Sequence, residues 1–289
     1  VTDFLLKDLD VFYISYDEPN CEINWKRIKN LHSNAKRVHG IYGFSNAHKE
    51  CATQSNTYRF VTIDGDNWIN GNIFNYKLND DNMPDVCFSF KSINIINGLE
   101  YGNGSVKVWS KETYLKSKPY EQQDLTDFCW TTKYFHVDFL SGTTTINCTP
   151  YQAWRAGYRE GIKLSYIDGK PLNNIKNNWS KIWEGNLRML KIWTVVGRDI
   201  ENGIWAILGA RQGLYELITD KCKHTDINDY QLMYLKWLSN EQLDPEITAM
   251  SYGQQLTKKF NFYTSEIDKN QSKWIKEIYI TPIRYGIMS

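Results

Sequence analysis

Tyr58-Arg59-Phe60-Val61-Thr62-Ile63-Asp64-Gly65-Asp66-Asn67 is an apolar, β-branched run that ends abruptly in two carboxylates separated by a glycine. Phe60, Val61 and Ile63 leave little polar surface along it, so the run reads as a buried strand. Such a strand delivers Asp64 and Asp66 to the lip of a sheet. The glycine permits a tight turn in which both carboxylates can approach one cation or its waters. Asp-Gly and Gly-Asp are also ordinary turn chemistry, and the flanking chain has to decide between the two.

Upstream, Leu9 to Tyr16 reads as a first buried strand running into the polar turn Asp17-Glu18-Pro19-Asn20. A helix follows, with Trp25, Ile28 and Leu31 on its apolar face and Lys26, Arg27 and Lys29 on its wet one. Ala35 to Ile41 is a short second strand. Ser45 or Asn46 can cap a helix over 47–55, and the Asp-Gly-Asp strand comes next. The order strand, helix, strand, helix, strand predicts a parallel α/β sheet with helices on its faces. The loops after Ser15 and after Ile63 then share one edge, where open α/β sheets bind ligands. That convergence favours a metal site over a plain turn.

Downstream, Val86 to Lys91, Ser105 to Trp109 and Phe135 to Leu140 read as further strands. The glycine-rich stretch Ile96 to Gly104 lacks the lysine and spacing of a P-loop, which leaves a hairpin or a site loop. Thr149-Pro150 is a helix start, and the helix runs to about Leu164. Tyr151, Trp154, Tyr158 and Ile162 form its apolar stripe, while Arg155, Arg159 and Lys163 form a row of cations four residues apart. That row is either a solvated face beside Glu160 or a face turned toward something anionic.

Residues 170–198 carry six basic side chains and one acidic one, with Trp179, Trp183 and Trp193 interleaved. This is the strongest local candidate for a nucleic-acid surface, through Lys176, Lys181, Arg188 and Lys191 together with Arg155 and Arg159. The plainer reading is an amphipathic helix with Trp183, Leu187, Leu190 and Thr194 on the core side. Asn202 to Ile218 reads as a mostly buried helix whose small residues allow close packing. Its Arg211 needs a carboxylate or a phosphate as partner. A further helix from about Asp226 places Tyr230, Met233, Tyr234, Trp237 and Leu238 at core spacing. The tail, 254–289, is modestly basic and either closes over a site or docks as a terminal segment.

The 289 residues suffice for one large domain or a domain with an appendage, divided here into a core over 1–168 and a mainly helical extension over 169–289. A net charge of +1 creates no global field for nucleic acid, so a DNA partner would need a local patch. The six cysteines are scattered without a Cys-x-x-Cys pair, which excludes a zinc ribbon and points to free thiols in a reducing compartment. No signal peptide is visible and no run nears the ~20 apolar residues of a membrane span. The expectation is a soluble, cytoplasmic protein with no membrane partner.

A strand ending in Ser-Tyr-Asp-Glu, a helix carrying Ala47-His48-Lys49 and an apolar strand ending in Asp64-Gly65-Asp66 resemble the nucleotide-binding half of GT-A glycosyltransferases. Val11 to Asn20, Arg37-Val38-His39-Gly40 and Val61 to Asp66 look similar to a phage-associated group within that fold. That group is related to the enzymes encoded beside hydroxymethyl-pyrimidine DNA modification. The good match covers about residues 9–70. The resemblance implies an α/β, GT-A-like (Rossmann-like), mostly parallel sheet flanked by helices, with a helical C-terminal extension. It implies that Asp64 and Asp66 hold Mn²⁺ or Mg²⁺ on the diphosphate of a nucleotide-sugar donor, a UDP-sugar in the first instance. Ser15, Tyr16, Asp17 and Glu18 would line the nucleoside pocket, with His48 and Lys49 facing the same nucleotide and Arg211 grouped with the donor-binding residues.

A 5-hydroxymethyl-pyrimidine base in DNA is the implied acceptor, in the host-cell cytoplasm if the chain is phage-encoded. A metal held by one or two carboxylates stabilises a departing diphosphate. Inversion would also need a base, for which Asp138, Glu160 and Asp168 are in the right part of the chain. His136 and His224 are candidate further metal ligands. A protein, glycan or small-molecule acceptor, a nucleotidyltransferase and a non-catalytic binding module remain as alternatives.

Overall fold

β-branched and aromatic residues run together in the first third of the chain, and strands form there. The structure is a computed structural model that describes residues 3–101, 106–123, 125, 127–167, 170–171 and 178–280. In chain order the first elements are β1 (Asp3–Leu5), β2 (Asp10–Ser15), α1 (Cys21–Leu31), β3 (Lys36–His39), α2 (Phe44–Gln54), β4 (Arg59–Asp64) and β5 (Asn67–Ile69). Next come β6 (Lys77–Asn79), β7 (Cys87–Asn94), β8 (Glu100–Tyr101), β9 (Val106–Ser110), α3 (Lys111–Lys116) and β10 (Tyr134–Thr144). The remainder holds α4 (Pro150–Lys163), β11 (Tyr166–Ile167), β12 (Lys170–Pro171), α5 (Glu184–Trp193), α6 (Gly203–Ile218), α7 (Tyr230–Leu238), α8 (Pro245–Phe260) and α9 (Lys269–Trp274).

The chain forms two compact units: Val1–Asn94, Glu100–Gln123 and Asp127–Thr145 make the first, and Ile95–Leu99, Asp124–Thr126 and Ile146–Ser289 the second. The main change-over falls between Thr145 and Ile146, where the sequence suggests a division at 168.

The first unit is built on a sheet of order β3-β2-β4-β9-β7-β10-β5, with β8 beside β7. β2 pairs in parallel with both β3 and β4, as the alternation of strands and helices predicts. The register sets Val11 against Val61 and Ile14 against Asp64, so β2 and β4 end together. Beyond β4 the expectation of a mostly parallel sheet gives way to a mixed one. β9 runs antiparallel to β4 on one side and to β7 on the other, and β10 then runs parallel to β7. The reversal follows from the short link between β7 and β9, which leaves no room for a crossover helix. Part of that link, β8, folds back on β7 as a hairpin would, whereas residues 102–104 of the glycine-rich stretch lie outside the described residues.

Val11, Val61, Ile63, Phe88, Phe90 and Val108 lie in the core of this sheet unit, with Ile28 of α1 on one face. Trp25 stacks on Tyr13 at 5.7 Å, but Leu31, at the last turn of α1, is exposed. α2 starts at Phe44, earlier than expected, so Ser45 and Asn46 lie inside it instead of capping it. The cap residue is Gly43, at φ +88°, a backbone conformation suited to glycine. Glu121 replaces a local cap by accepting the Ser45 N–H at 2.9 Å, placing a negative charge at the helix N-terminus.

The second unit is mainly helical. Thr149 caps α4 by accepting the Gln152 N–H at 3.1 Å, and Pro150 opens the helix as expected. Trp154, Tyr158 and Ile162 are buried with Ile207 and Leu208 of α6. At Gly157 and Gly209 a side chain would run into the backbone of the opposite helix, so these glycines let α4 and α6 touch. In α7 only Met233 and Trp237 of the expected core residues are fully buried; Tyr234 and Leu238, on the next face round, are exposed. Trp183 is 70% exposed instead of facing the core, because it is the non-helical cap of α5 and falls off the helix's periodic face.

Candidate functional site

The site grows from the common end of β2 and β4. β4 carries Asp64 to the sheet edge, and the chain turns through Gly65 to Asp66. The Gly65 carbonyl is fixed from two sides, by the Tyr13 hydroxyl at 2.7 Å and by the Asn24 side-chain amide at 2.9 Å. Burial, and then the charge of Glu18, pushes the Tyr13 phenol far up, so it stays a neutral donor. Glu18 folds over the turn: a Cβ at position 65 would stand 2.7 Å from its Oε2 and 2.9 Å from the Ile14 carbonyl. Only glycine admits this approach. The same Glu18 oxygen accepts the Tyr16 N–H at 2.7 Å.

Asp66 is buttressed from behind. Its carbonyl accepts the Thr145 N–H at 2.8 Å and the Thr145 hydroxyl at 2.7 Å. Its carboxylate Oδ1 accepts the Asn67 side-chain N–H at 2.6 Å, and Asn67 Oδ1 in turn accepts the Thr144 hydroxyl at 2.8 Å. Asp64 pairs with Lys107 of β9, Nζ to Oδ2 at 2.8 Å, the lysine 2% exposed and the aspartate 35%. Two open rings stand at the ends of β2 and β3, Tyr16 and Tyr42, edge to face with centroids 6.2 Å apart. Asp64, Asp66, Glu18 and Tyr16 are therefore brought together, with Asp17 exposed on the same loop.

Several expected residues stand elsewhere. Ser15 is buried, its hydroxyl accepting the Arg37 Nε–H at 2.9 Å and meeting His39 Nδ1 at 3.0 Å, so it supports the loop from beneath and does not line a pocket. His48 is 1% exposed and stacks on Phe44 at 3.9 Å, with Nδ1 2.9 Å from the Phe44 carbonyl and Nε2 without a partner. Burial pushes it down to about 4, so it is a neutral core residue and faces no nucleotide. Its neighbour Lys49 is exposed on α2.

Asp138 is 92% exposed, pairs with Lys91, and lies six residues before Thr144 on β10, where two bulges shorten the span to about 10–13 Å. His136, near it, packs against Tyr134. Glu160 belongs to the second unit and pairs with Lys163 at 3.3 Å. Arg211 is fully buried in that unit, where Glu266 at 2.5 Å and the carbonyls of Thr194, Ala249 and Ser265 take its donors. Its partner is thus a carboxylate of its own unit, and its role is structural, not donor binding. His224 packs on the Tyr166 ring. Among the described residues no group of three or more His, Cys, Asp or Glu side chains could hold a metal ion, so Asp64, Asp66 and Glu18 do not form one and His224 and His136 do not complete one.

The cationic row of α4 is mostly internal. Arg155 lies over the rings of Tyr151 and Tyr230, Arg159 donates to the Ile227 carbonyl, and Lys163 meets Glu160. These contacts relieve the repulsion that the spacing predicts, and they turn Arg155 and Arg159 away from a role on DNA. Lys181 and Lys191 are exposed and Arg188 half-buried, while Lys176 and Asp168 lie outside the described residues.

Lys107, Asn67, Thr145 and Tyr42 carry the edge without having been singled out in the sequence. Lys107 did leave a signal: it is a lone charge in the apolar run Val106-Lys107-Val108-Trp109, and a lysine buried there needs a carboxylate beside it. The chain matches no family model, no curated protein and no solved structure. No helix among the described residues is long and apolar enough to cross a membrane.

Proposed function

We propose that the chain is a metal-dependent glycosyltransferase of GT-A type that uses a nucleotide-sugar donor, a UDP-sugar in the first instance. One observation carries the reading: Asp64-Gly65-Asp66 ends β4 in register with the end of β2, and the Glu18 carboxylate of the following loop is packed onto Gly65. The parallel triplet β3-β2-β4 supplies the Rossmann-like edge that the family resemblance asks for, while the reversed β9 makes the whole sheet mixed.

The donor set consists of oxygens and offers too few of them to enclose a cation. That suits Mg²⁺ or Mn²⁺, which bind one or two carboxylates and take their remaining oxygens from phosphates and water. When bound, such an ion stabilises the charge that develops on the departing diphosphate. The chain's own part is to hold the edge rigid. Tyr13 and Asn24 fix the Gly65 carbonyl, Thr145 and Asn67 fix Asp66, and Lys107 fixes Asp64. Tyr16 and Tyr42 present rings on which a base can stack.

The proposal extends to a 5-hydroxymethyl-pyrimidine in DNA as acceptor. This rests on the resemblance, with support from Lys181, Lys191 and Trp183, which are all open to solvent. Mixing the protein with Mn²⁺ and a panel of nucleotide sugars, and following thermal shift and free nucleoside diphosphate, tests the donor. Failure of every donor to stabilise the protein or turn over in a metal-dependent way rules the proposal out. Hydroxymethylated against unmodified duplex DNA then tests the acceptor.

A further inference from the structure

Lys107 is a lysine inside a sheet. It lies on β9 opposite Thr62 of β4, with Phe60 facing Trp109 and Val61 facing Val108 beside it, and its ammonium is 5.6 Å from the centre of the Phe128 ring. An ammonium withdrawn from water needs a carboxylate beside it. Asp64 stands two residues beyond Thr62 on the same face of β4, so Lys107 reaches it diagonally across the two strands. The other carboxylates of the edge are held by the protein as well, Asp66 Oδ1 by Asn67 and Glu18 Oε2 by the Tyr16 N–H.

We infer that Lys107 is a positioning residue that withholds Asp64 from a divalent cation, so that the ion is held firmly only together with a nucleoside diphosphate. A divalent cation on Asp64 would stand within one carboxylate's width of the ammonium. Lys107 is shielded from solvent, so little water screens that repulsion. A diphosphate changes the balance twice: its negative charge offsets both cations, and its oxygens fill the coordination positions that the chain leaves open. Ion and diphosphate then raise each other's affinity by the same factor, as linkage requires. The inference rests on the reading of Asp64 and Asp66 as a metal–diphosphate site.

The test is a Mn²⁺ titration of the whole chain followed by the electron paramagnetic resonance signal of the free ion, with and without UDP. The expected wild-type result is weak binding of Mn²⁺ alone and at least about tenfold tighter binding with UDP. Lys107→Met is expected to bind Mn²⁺ alone at least about tenfold more tightly than wild type, because a like charge has been removed from the ligand's side. An unchanged ion-alone affinity in folded Lys107→Met overturns the inference. Should that variant fail to fold, Asp64→Asn decides. Ion-alone affinity within about twofold of wild type supports a carboxylate already withheld, and a tenfold loss shows it was a ligand all along. A wild type indifferent to UDP overturns the metal–diphosphate reading instead, and the Lys107→Met comparison, made without nucleotide, keeps the two failures apart.

Discussion

The two ends of β4 each carry buried charge and use it in opposite ways. At the first end the Arg59 guanidinium meets Asp80 at 2.6 Å, the carbonyls of Val86 and Met83 at 2.8 and 2.6 Å and that of Pro84 at 3.2 Å, and it lies over the Phe88 ring. Asp80 is itself buried, so the network is closed on both sides. At the other end Lys107 is equally buried, but its partner Asp64 remains partly open, as do Asp66 and Glu18. A satisfied buried ion pair fastens a segment, here the loop before β7. A charge set left partly open at a sheet edge can still take a ligand. The same strand thus begins as a staple and ends as a candidate site.

The contrast can be broken most severely at the closed end. Arg59→Met leaves Asp80 buried without its cation and frees three carbonyls, and a loss of roughly 3–5 kcal/mol is expected by urea unfolding at pH 7. A loss below 1 kcal/mol would mean the network is looser than its geometry. The next effect comes from His48, which lies near Asp64 and Lys107 and feels the former raising and the latter lowering its proton affinity, with burial outweighing both. Between its unfolded value of 6.5 and its folded value of about 4, the unfolded chain binds a proton that the folded chain refuses. Stability should therefore be complete above pH 6.5 and fall as the pH drops through that window, by about 3 kcal/mol at most. His48→Leu should flatten that dependence, and urea midpoints at pH 7 and 4.5 for both proteins check it.

Gly65→Ala tests the open end more gently. The added carbon must displace Glu18 or the Ile14 carbonyl, which predicts a cost of about 1–3 kcal/mol together with weaker binding of Mn²⁺ and UDP. Unchanged binding would show that the Glu18 contact is incidental. The smallest effect on folding belongs to Asp66→Asn, within about 0.5 kcal/mol of wild type, because the amide keeps the shape and occupies a partly exposed position. Donor turnover should nevertheless vanish. A variant that turns over like wild type removes Asp66 from the metal role.

Local pattern made much of this edge legible. The β-branched run into Asp64, the strand–helix alternation from Asp10 onward and the Thr149-Pro150 helix start all speak through neighbours in sequence, and all appear in the structure. What stayed hidden depends on partners far along the chain. The insertion of β9 between β4 and β7 is a matter of long-range register, which periodicity does not carry. His48 shares the apolar face of α2 with Phe44, Cys51 and Ala52, a helical spacing that marks it as core once resemblance is set aside. The cations of α4 look solvent-facing until Tyr230 and Ile227 arrive from a later helix and turn.

The hydrogen bonds between Asp66 and Thr145 join residues 79 apart in the chain. Closing a loop of that length costs entropy that only a docked β10 can offset, and contacts of such long range form late in folding. Asp64, Gly65 and Asp66 are neighbours from the moment of synthesis. The edge they build should nevertheless be among the last parts of the first unit to become rigid, so capacity to bind a ligand there would report that the whole sheet has formed.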